Sequence, residues 1–272
     1  MAAPTVSLPR RLLRLARLVA HFVHGQRIVR KRFPRLDTAG RDGEIRRWSR
    51  QLLDILDVEV RAYGAVPALA RRMVVANHLS WLDIFVIYSH APGVFVAKSE
   101  IRDWPLLGAL VAEVGTLFIV RGRRTHARHT NDLIAATLTA GRTVAGFPEG
   151  TTGEGEALGH FHAALLQPAI DAQAAILPVG LRYRTADGER AEAAHYVGEM
   201  SFARSLWRVV SQRKLVAELH ITAPLATAET NRRALARAAE AAIARALDLP
   251  LPHRHTEKRG DLPVCPPSGG RP

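Results

Sequence analysis

Five apolar runs recur along this 272-residue chain, at residues 73–76, 94–97, 116–120, 143–147 and 176–181. The segments between them are long enough to bring the chain back by a helix, as 125–140 does between the third run and the fourth. Short apolar runs alternating with helical crossovers predict an α/β fold: a mostly parallel central sheet with flanking helices. A chain of this length buries a full core and suits one such domain with appendages.

The polar residues that close these runs carry the functional signal. Asn77-His78 follows the first run, Lys98 the second, Arg121 the third, and Pro148-Glu149-Gly150-Thr151 the fourth. In open α/β sheets ligands bind beyond the carboxyl ends of the strands, so four sequence-distant sets are predicted to converge on one crevice. His78 and Asp83, five residues apart, read as a general base and its orienting partner. Ser80-x-x-Asp83 also reads as a capping box, which accounts for the aspartate without any chemistry. Lys98 and Arg121 read as anion binders, with a solvated surface charge as the plain alternative for each. Glu149 either pairs with these cations or accepts hydrogen bonds from a polyol, Gly150 permits close backbone approach, and Thr151 can donate to an oxyanion. There is no G-x-S-x-G elbow, and the single cysteine, Cys265, lies in a Pro/Gly-rich tail. The attacking hydroxyl is therefore expected to belong to the substrate. Three histidine pairs, 126/129, 160/162 and 253/255, lack further ligands nearby in sequence, so no metal site is expected.

The formal charge of +13 is unevenly spread, for residues 1–50 hold 13 Lys/Arg against 3 Asp/Glu. The basic character is thus a local N-terminal feature, which suits an anionic surface better than a nucleic-acid groove. Within 8–33, Arg10, Arg14, Arg17, His21 and His24 recur at helical spacing, predicting one polar stripe on an otherwise apolar helix. Such a helix suits a membrane interface, its arginines at anionic head groups. It makes a poor transmembrane span, since Arg14 and Arg17 would each cost roughly 2.5–3.5 kcal/mol near the bilayer centre. A cleaved signal is not expected either. A helix packed on its own domain with snorkelling arginines is the alternative. A nucleic-acid arm is disfavoured by thin aromatic content, with Phe22 and Phe33 alone before Trp48.

Further helices are predicted at 41–56, 202–211 and 228–247, and strands at VEVRAYG after the first of these and at 216–225. Residues 184–200 are polar and uninformative. The expected organisation is an N-terminal helical, membrane-associating segment over 1–57, a domain over 58–250 and a disordered tail over 251–272.

With these residues in view, the chain resembles the 1-acylglycerol-3-phosphate O-acyltransferase family over roughly 72–181. Asn77-His78-x4-Asp83 matches the family's first block, Gly115 to Arg121 its second, Phe147 to Thr151 its third, and Ile176 to Val179 its fourth. The resemblance implies that His78 acts as base on the free hydroxyl of a lysolipid, oriented by Asp83. Lys98, Arg121 and Glu149-Gly150-Thr151 would hold a glycerol phosphate. The acyl group would come directly from acyl-CoA or acyl carrier protein, with no cofactor, no metal and no nucleic acid. The implied acceptor is a lysophospholipid resident in the membrane, which places the enzyme at the cytoplasmic face of the cell membrane. Two positions depart from the family pattern: Thr152 stands where arginine is usual, and Phe161-His162-Ala163-Ala164 replaces a Phe-Lys-x-Gly pattern. Both remove cationic or flexible character, leaving a lyso-ornithine or other non-phosphate lysolipid as the rival acceptor. A thioesterase using His78 to activate water is the rival reaction.

Overall fold

The structure is a computed structural model, and it describes residues 5–69, 71–103, 107–119 and 124–251. The strands are β1 (Val58–Tyr63), β2 (Arg72–Ala76), β3 (Val94–Lys98), β4 (Leu117–Ile119), β5 (Val144–Gly146), β6 (Ala175–Thr185) and β7 (Leu215–Ile221). The helices are α1 (Leu8–Lys31), α2 (Thr38–Ile55), α3 (Asp83–Tyr88), α4 (Leu107–Glu113), α5 (Arg124–Thr139), α6 (Gln167–Asp171), α7 (Phe202–Ser211) and α8 (Arg232–Leu247).

The five apolar runs are β2 to β6, and these are the mutually parallel strands of a seven-stranded sheet ordered β1-β7-β6-β2-β5-β3-β4. β7 lies antiparallel to β6, and β1 runs with β7, so two strands at one edge run opposite to the other five. The predicted mixed α/β architecture, mostly parallel and preceded by an N-terminal helix, is the observed one. β2 shows why both faces are covered. Met73 and Val75 join the layer packed under α5 and α8, while Val74 and Ala76 join the layer under α1, α2, α3 and α7. Such two-sided burial yields a continuous apolar run rather than an alternating one.

Element ends differ from the sequence expectation where a side chain decides them. α2 begins at Thr38 rather than 41 because Asp37 caps it, accepting a hydrogen bond from the Gly40 amide at 2.8 Å. α8 begins at Arg232 rather than 228, capped by Asn231. β7 stops at Ile221, since the Thr222 amide and hydroxyl both turn to the Pro178 carbonyl, at 3.1 and 2.9 Å. The expected disordered tail, but for its first residue Leu251, lies outside the described residues.

α1 corrects the expectation about its polar stripe. Arg14 is only 4% exposed and His21 is buried too, so the middle of the stripe faces the protein. The Arg14 guanidinium donates to the carbonyls of Val210 and Gln212 and pairs with Asp57 at 2.9 Å. The His21 ring bonds the Trp48 carbonyl at 2.9 Å and stacks on the Trp48 indole. The physical reason is the unpaired carbonyls at the C-terminal end of α7, which a buried guanidinium satisfies. Arg10, Arg17 and His24, the rest of the stripe, stay exposed, and so do Leu8, Leu12, Leu13, Val19 and Val23. The outer surface of α1 is therefore mixed, with exposed leucines and valines flanked by the exposed Arg10, Arg17, Arg27 and Arg30.

Candidate active site

β2 ends at Ala76, and Asn77 then locks the strand end to β6. Its side chain donates to the Leu181 carbonyl at 3.0 Å and accepts from the Leu181 amide at 2.7 Å. This pairing places His78 just beyond the sheet edge. The turn after β5 clamps the histidine backbone from both sides: the His78 amide donates to Glu149 Oε2 at 2.8 Å, and the His78 carbonyl accepts from the Gly153 amide at 2.7 Å. Gly150, at φ 70°, supplies the left-handed bend of that turn.

The His78 Nδ1 lies 2.8 Å from Asp83 Oδ2. The same oxygen accepts from the amides of Leu79 and Ser80, at 2.7 and 2.9 Å. One carboxylate oxygen thus holds both the imidazole and the amides of the turn, while α3 itself starts at Asp83 with no side-chain cap. Oδ1 accepts from the Tyr183 hydroxyl at 2.7 Å, and the whole Asp83 side chain is 0% exposed. A carboxylate that accepts at every bond assigns the proton of the pair to Nδ1, leaving the lone pair on Nε2. Phe147 stacks on the imidazole, ring centroids 3.9 Å apart and planes within 6°, and so fixes the ring plane. The His78 side chain remains 21% exposed. Among the described residues, none hydrogen-bonds Nε2.

A cavity of about 370 Å³ opens beside this ring. His78, Gly150, Thr151 and Thr152 line it near the dyad, and Trp48, Phe85, Phe95, Val29 and Leu110 carry an apolar wall away between α1, α2, α3 and α4. A polar reactive group therefore stands over an apolar slot, an arrangement suited to bringing a long hydrocarbon chain to a single acid–base site.

The other sequence-predicted residues fall as follows. Glu149 reaches the site, but its two oxygens hold the amides of His78 and Gly159, at 2.8 and 2.7 Å. It ties two loops together, and burial pushes its carboxyl up, against the pull of those two amides. Gly150 and Thr151 line the cavity. The backbone of Lys98 ends β3 on the same sheet edge as His78, and its side chain lies outside the described residues. Arg121 lies outside them altogether. His160 approaches Glu240 at 3.4 Å. No group of three His, Cys, Asp or Glu that could hold a metal ion occurs among the described residues.

Sequence reading missed Tyr183 and the strap over 186–200, and it placed Phe147 in the turn motif without its stacking on His78. Thr152 donates its hydroxyl to the Tyr196 carbonyl, and the Tyr196 amide donates to the Leu79 carbonyl at 2.9 Å, so the strap joins the loop after β2 to the turn after β5. Arg190 adds bonds to Glu156 and to the Glu154 carbonyl. No local spacing announces these contacts, since the partners stand 34 to 117 positions apart.

The family model described as Acyltransferase matches residues 57–182. The lyso-ornithine lipid O-acyltransferase of Pseudomonas aeruginosa is 36% identical over 244 residues, covering 88% of this chain and 93% of that protein. The 1-acyl-sn-glycerol-3-phosphate acyltransferase of Neisseria gonorrhoeae is 40% identical over 161 residues, covering 59% of this chain and 63% of that protein. Among solved structures, the 1-acyl-sn-glycerophosphate (LPA) acyltransferase PlsC from Thermotoga maritima has the same fold, with a TM-score of 0.70 over 89% of this chain and 94% of that one, at 22% identity. By sequence and by fold, the chain belongs to the acyltransferase family that includes the 1-acylglycerol-3-phosphate and lyso-ornithine lipid acyltransferases.

Proposed function

We propose that the protein moves an acyl group from a thioester, acyl-CoA or acyl carrier protein, to the free hydroxyl of a lysolipid, with His78 as general base. The observation that carries this reading is the His78–Asp83 pair beside an apolar cavity. Nε2 accepts the acceptor's hydroxyl proton as the oxygen attacks the thioester carbonyl. Asp83 then stabilises the imidazolium. Collapse of the tetrahedral adduct expels the thiolate, and the imidazolium returns the proton to it. No side-chain hydroxyl or thiol is bonded to Nε2 among the described residues, which supports direct transfer to the acceptor without an acyl-enzyme.

The acceptor of this reading is 1-acylglycerol-3-phosphate, giving phosphatidic acid, with Lys98, Arg121 and Thr151 at the phosphate. A second acceptor, lyso-ornithine lipid, is favoured by a specific observation: the Thr152 hydroxyl is turned to the Tyr196 carbonyl, so this step of the turn offers no cation. The relative that spans nearly the whole chain is named for that activity. The exposed apolar face of α1, flanked by Arg17, Arg27 and Arg30, supports docking at the cytoplasmic face of the membrane, where such acceptors reside. No helix among the described residues is long and apolar enough to cross a membrane. Purified protein given acyl-CoA or acyl carrier protein with each lysolipid in turn tests the reading. Product with either acceptor, abolished by His78→Ala, is expected. Thioester cleavage equally fast without an acceptor would make the protein a hydrolase instead.

A further inference from the structure

Tyr183 is a fully buried phenol on β6 whose hydroxyl makes one hydrogen bond among the described residues, at 2.7 Å to Asp83 Oδ1. A ring needed for packing alone would be served by phenylalanine, and a buried phenol hydroxyl is retained where it meets a partner. Here the partner is the carboxylate that orients the base. Oδ2 holds His78 Nδ1 and two amides, so Tyr183 is the donor on the opposite oxygen and decides how the charge is shared between the two.

We propose that Tyr183 is a positioning residue of the transfer reaction, holding Asp83 through Oδ1 and drawing charge from the oxygen that faces His78. The inference rests on His78 being the base. A donor on Oδ1 makes the carboxylate a weaker partner for the imidazolium, so its loss strengthens that partnership and leaves His78 protonated to higher pH. The other titratable or charged groups around the pair are Glu149 beyond β5, whose carboxyl burial pushes up, and His195 on the strap, whose imidazole burial pushes down. Arg190, Arg208 and Glu192 face His195. All of these stay in place when only the phenol is altered.

The experiment measures kcat and KM against pH for the full-length protein, for Tyr183→Phe and for a protein carrying 3-fluorotyrosine at position 183. Tyr183→Phe lowers kcat about tenfold, as loss of a hydrogen bond to a charged group does, leaves the acceptor KM unchanged and moves the acid limb of the profile to higher pH. Fluorotyrosine, the same shape but a stronger donor, moves that limb to lower pH. If the phenylalanine variant does not fold, the fluorotyrosine profile decides alone. Acid limbs that coincide with the wild type in the variants that fold, or a loss confined to KM, overturn the proposal. His78→Ala separates the levels: an active His78→Ala protein removes the base itself, whereas an inactive one with both tyrosine profiles unmoved removes only the role of Tyr183.

Discussion

Arg14 and Asp83 are both charged side chains buried in this fold, and their surroundings differ in one respect. Arg14 is enclosed by acceptors, the Val210 and Gln212 carbonyls and the Asp57 carboxylate, and beyond Asp57 its network reaches the exposed Arg10 at 3.4 Å, a permanent cation that takes up no proton. Asp83 is equally saturated, by two amides, a phenol and an imidazole, but its network continues through His78 to a nitrogen without a protein partner among the described residues. A closed network holds elements together, while one that ends at an open, part-exposed imidazole can exchange a proton with a substrate. Burial of charge alone does not separate scaffold from chemistry; where the hydrogen-bond chain ends does.

The comparison is broken most directly at its open end. His78→Ala should lower kcat/KM by on the order of 10²–10⁴-fold in the acyl-transfer assay while leaving the unfolding transition nearly in place. Asp83→Asn comes next, with a loss on the order of 100-fold, because an amide cannot accept from Nδ1 and both loop amides while also serving Tyr183. Asp83→Asn activity within a factor of two of wild type would show that holding the turn is the aspartate's whole role.

At the closed end the prediction inverts. Arg14→Leu should cost about 2–4 kcal/mol of stability by denaturant unfolding, below the range for a fully desolvated pair because Asp57 is partly solvated, and should leave kcat per folded molecule unchanged. Because Arg14 and His21 belong to the core, the docking face is better tested by point changes than by removing the helix. Leu12→Gln with Leu13→Gln should weaken flotation with anionic vesicles by about tenfold, and unchanged flotation would remove this face as the contact.

The smallest effect concerns acid. Burial lowers the pKa of His21, His90, His195 and His220 below the ordinary value of 6.5, so each is neutral in the folded protein where it would be charged unfolded. The unfolded chain then binds more protons, and stability should be flat above pH 6.5 and decline as pH falls below it. His21→Asn should flatten part of that decline in melting temperature, and a slope identical to wild type would place the acid sensitivity elsewhere.

Much of this was legible in order along the chain. Continuous apolar runs announced β2 to β6 because parallel strands are buried on both faces, and the residues just past them announced the crevice because that edge is where backbone leaves the sheet. His78 and Asp83 were legible because they meet within one turn. The inward turn of Arg14 was not, since helical spacing shows which residues share a face but not which way the face points. Glu149 could be placed at the site, but not its grip on the amides of His78 and Gly159, because backbone donors have no residue code.

The sequence by itself determined the layered fold, the dyad and the amphipathic character of α1, all of which depend on residues a few positions apart. Tertiary structure alone decided that Tyr183 would donate to Asp83, that the 186–200 strap would join the loops after β2 and β5, and that Arg14 and His21 would turn inward while Arg10 and Arg17 stay outside. Those outcomes depend on unpaired groups brought together from distant positions, such as the α7 carbonyls that Arg14 satisfies. A buried donor or acceptor must find its partner wherever folding puts one, and the chain order carries no record of that distance.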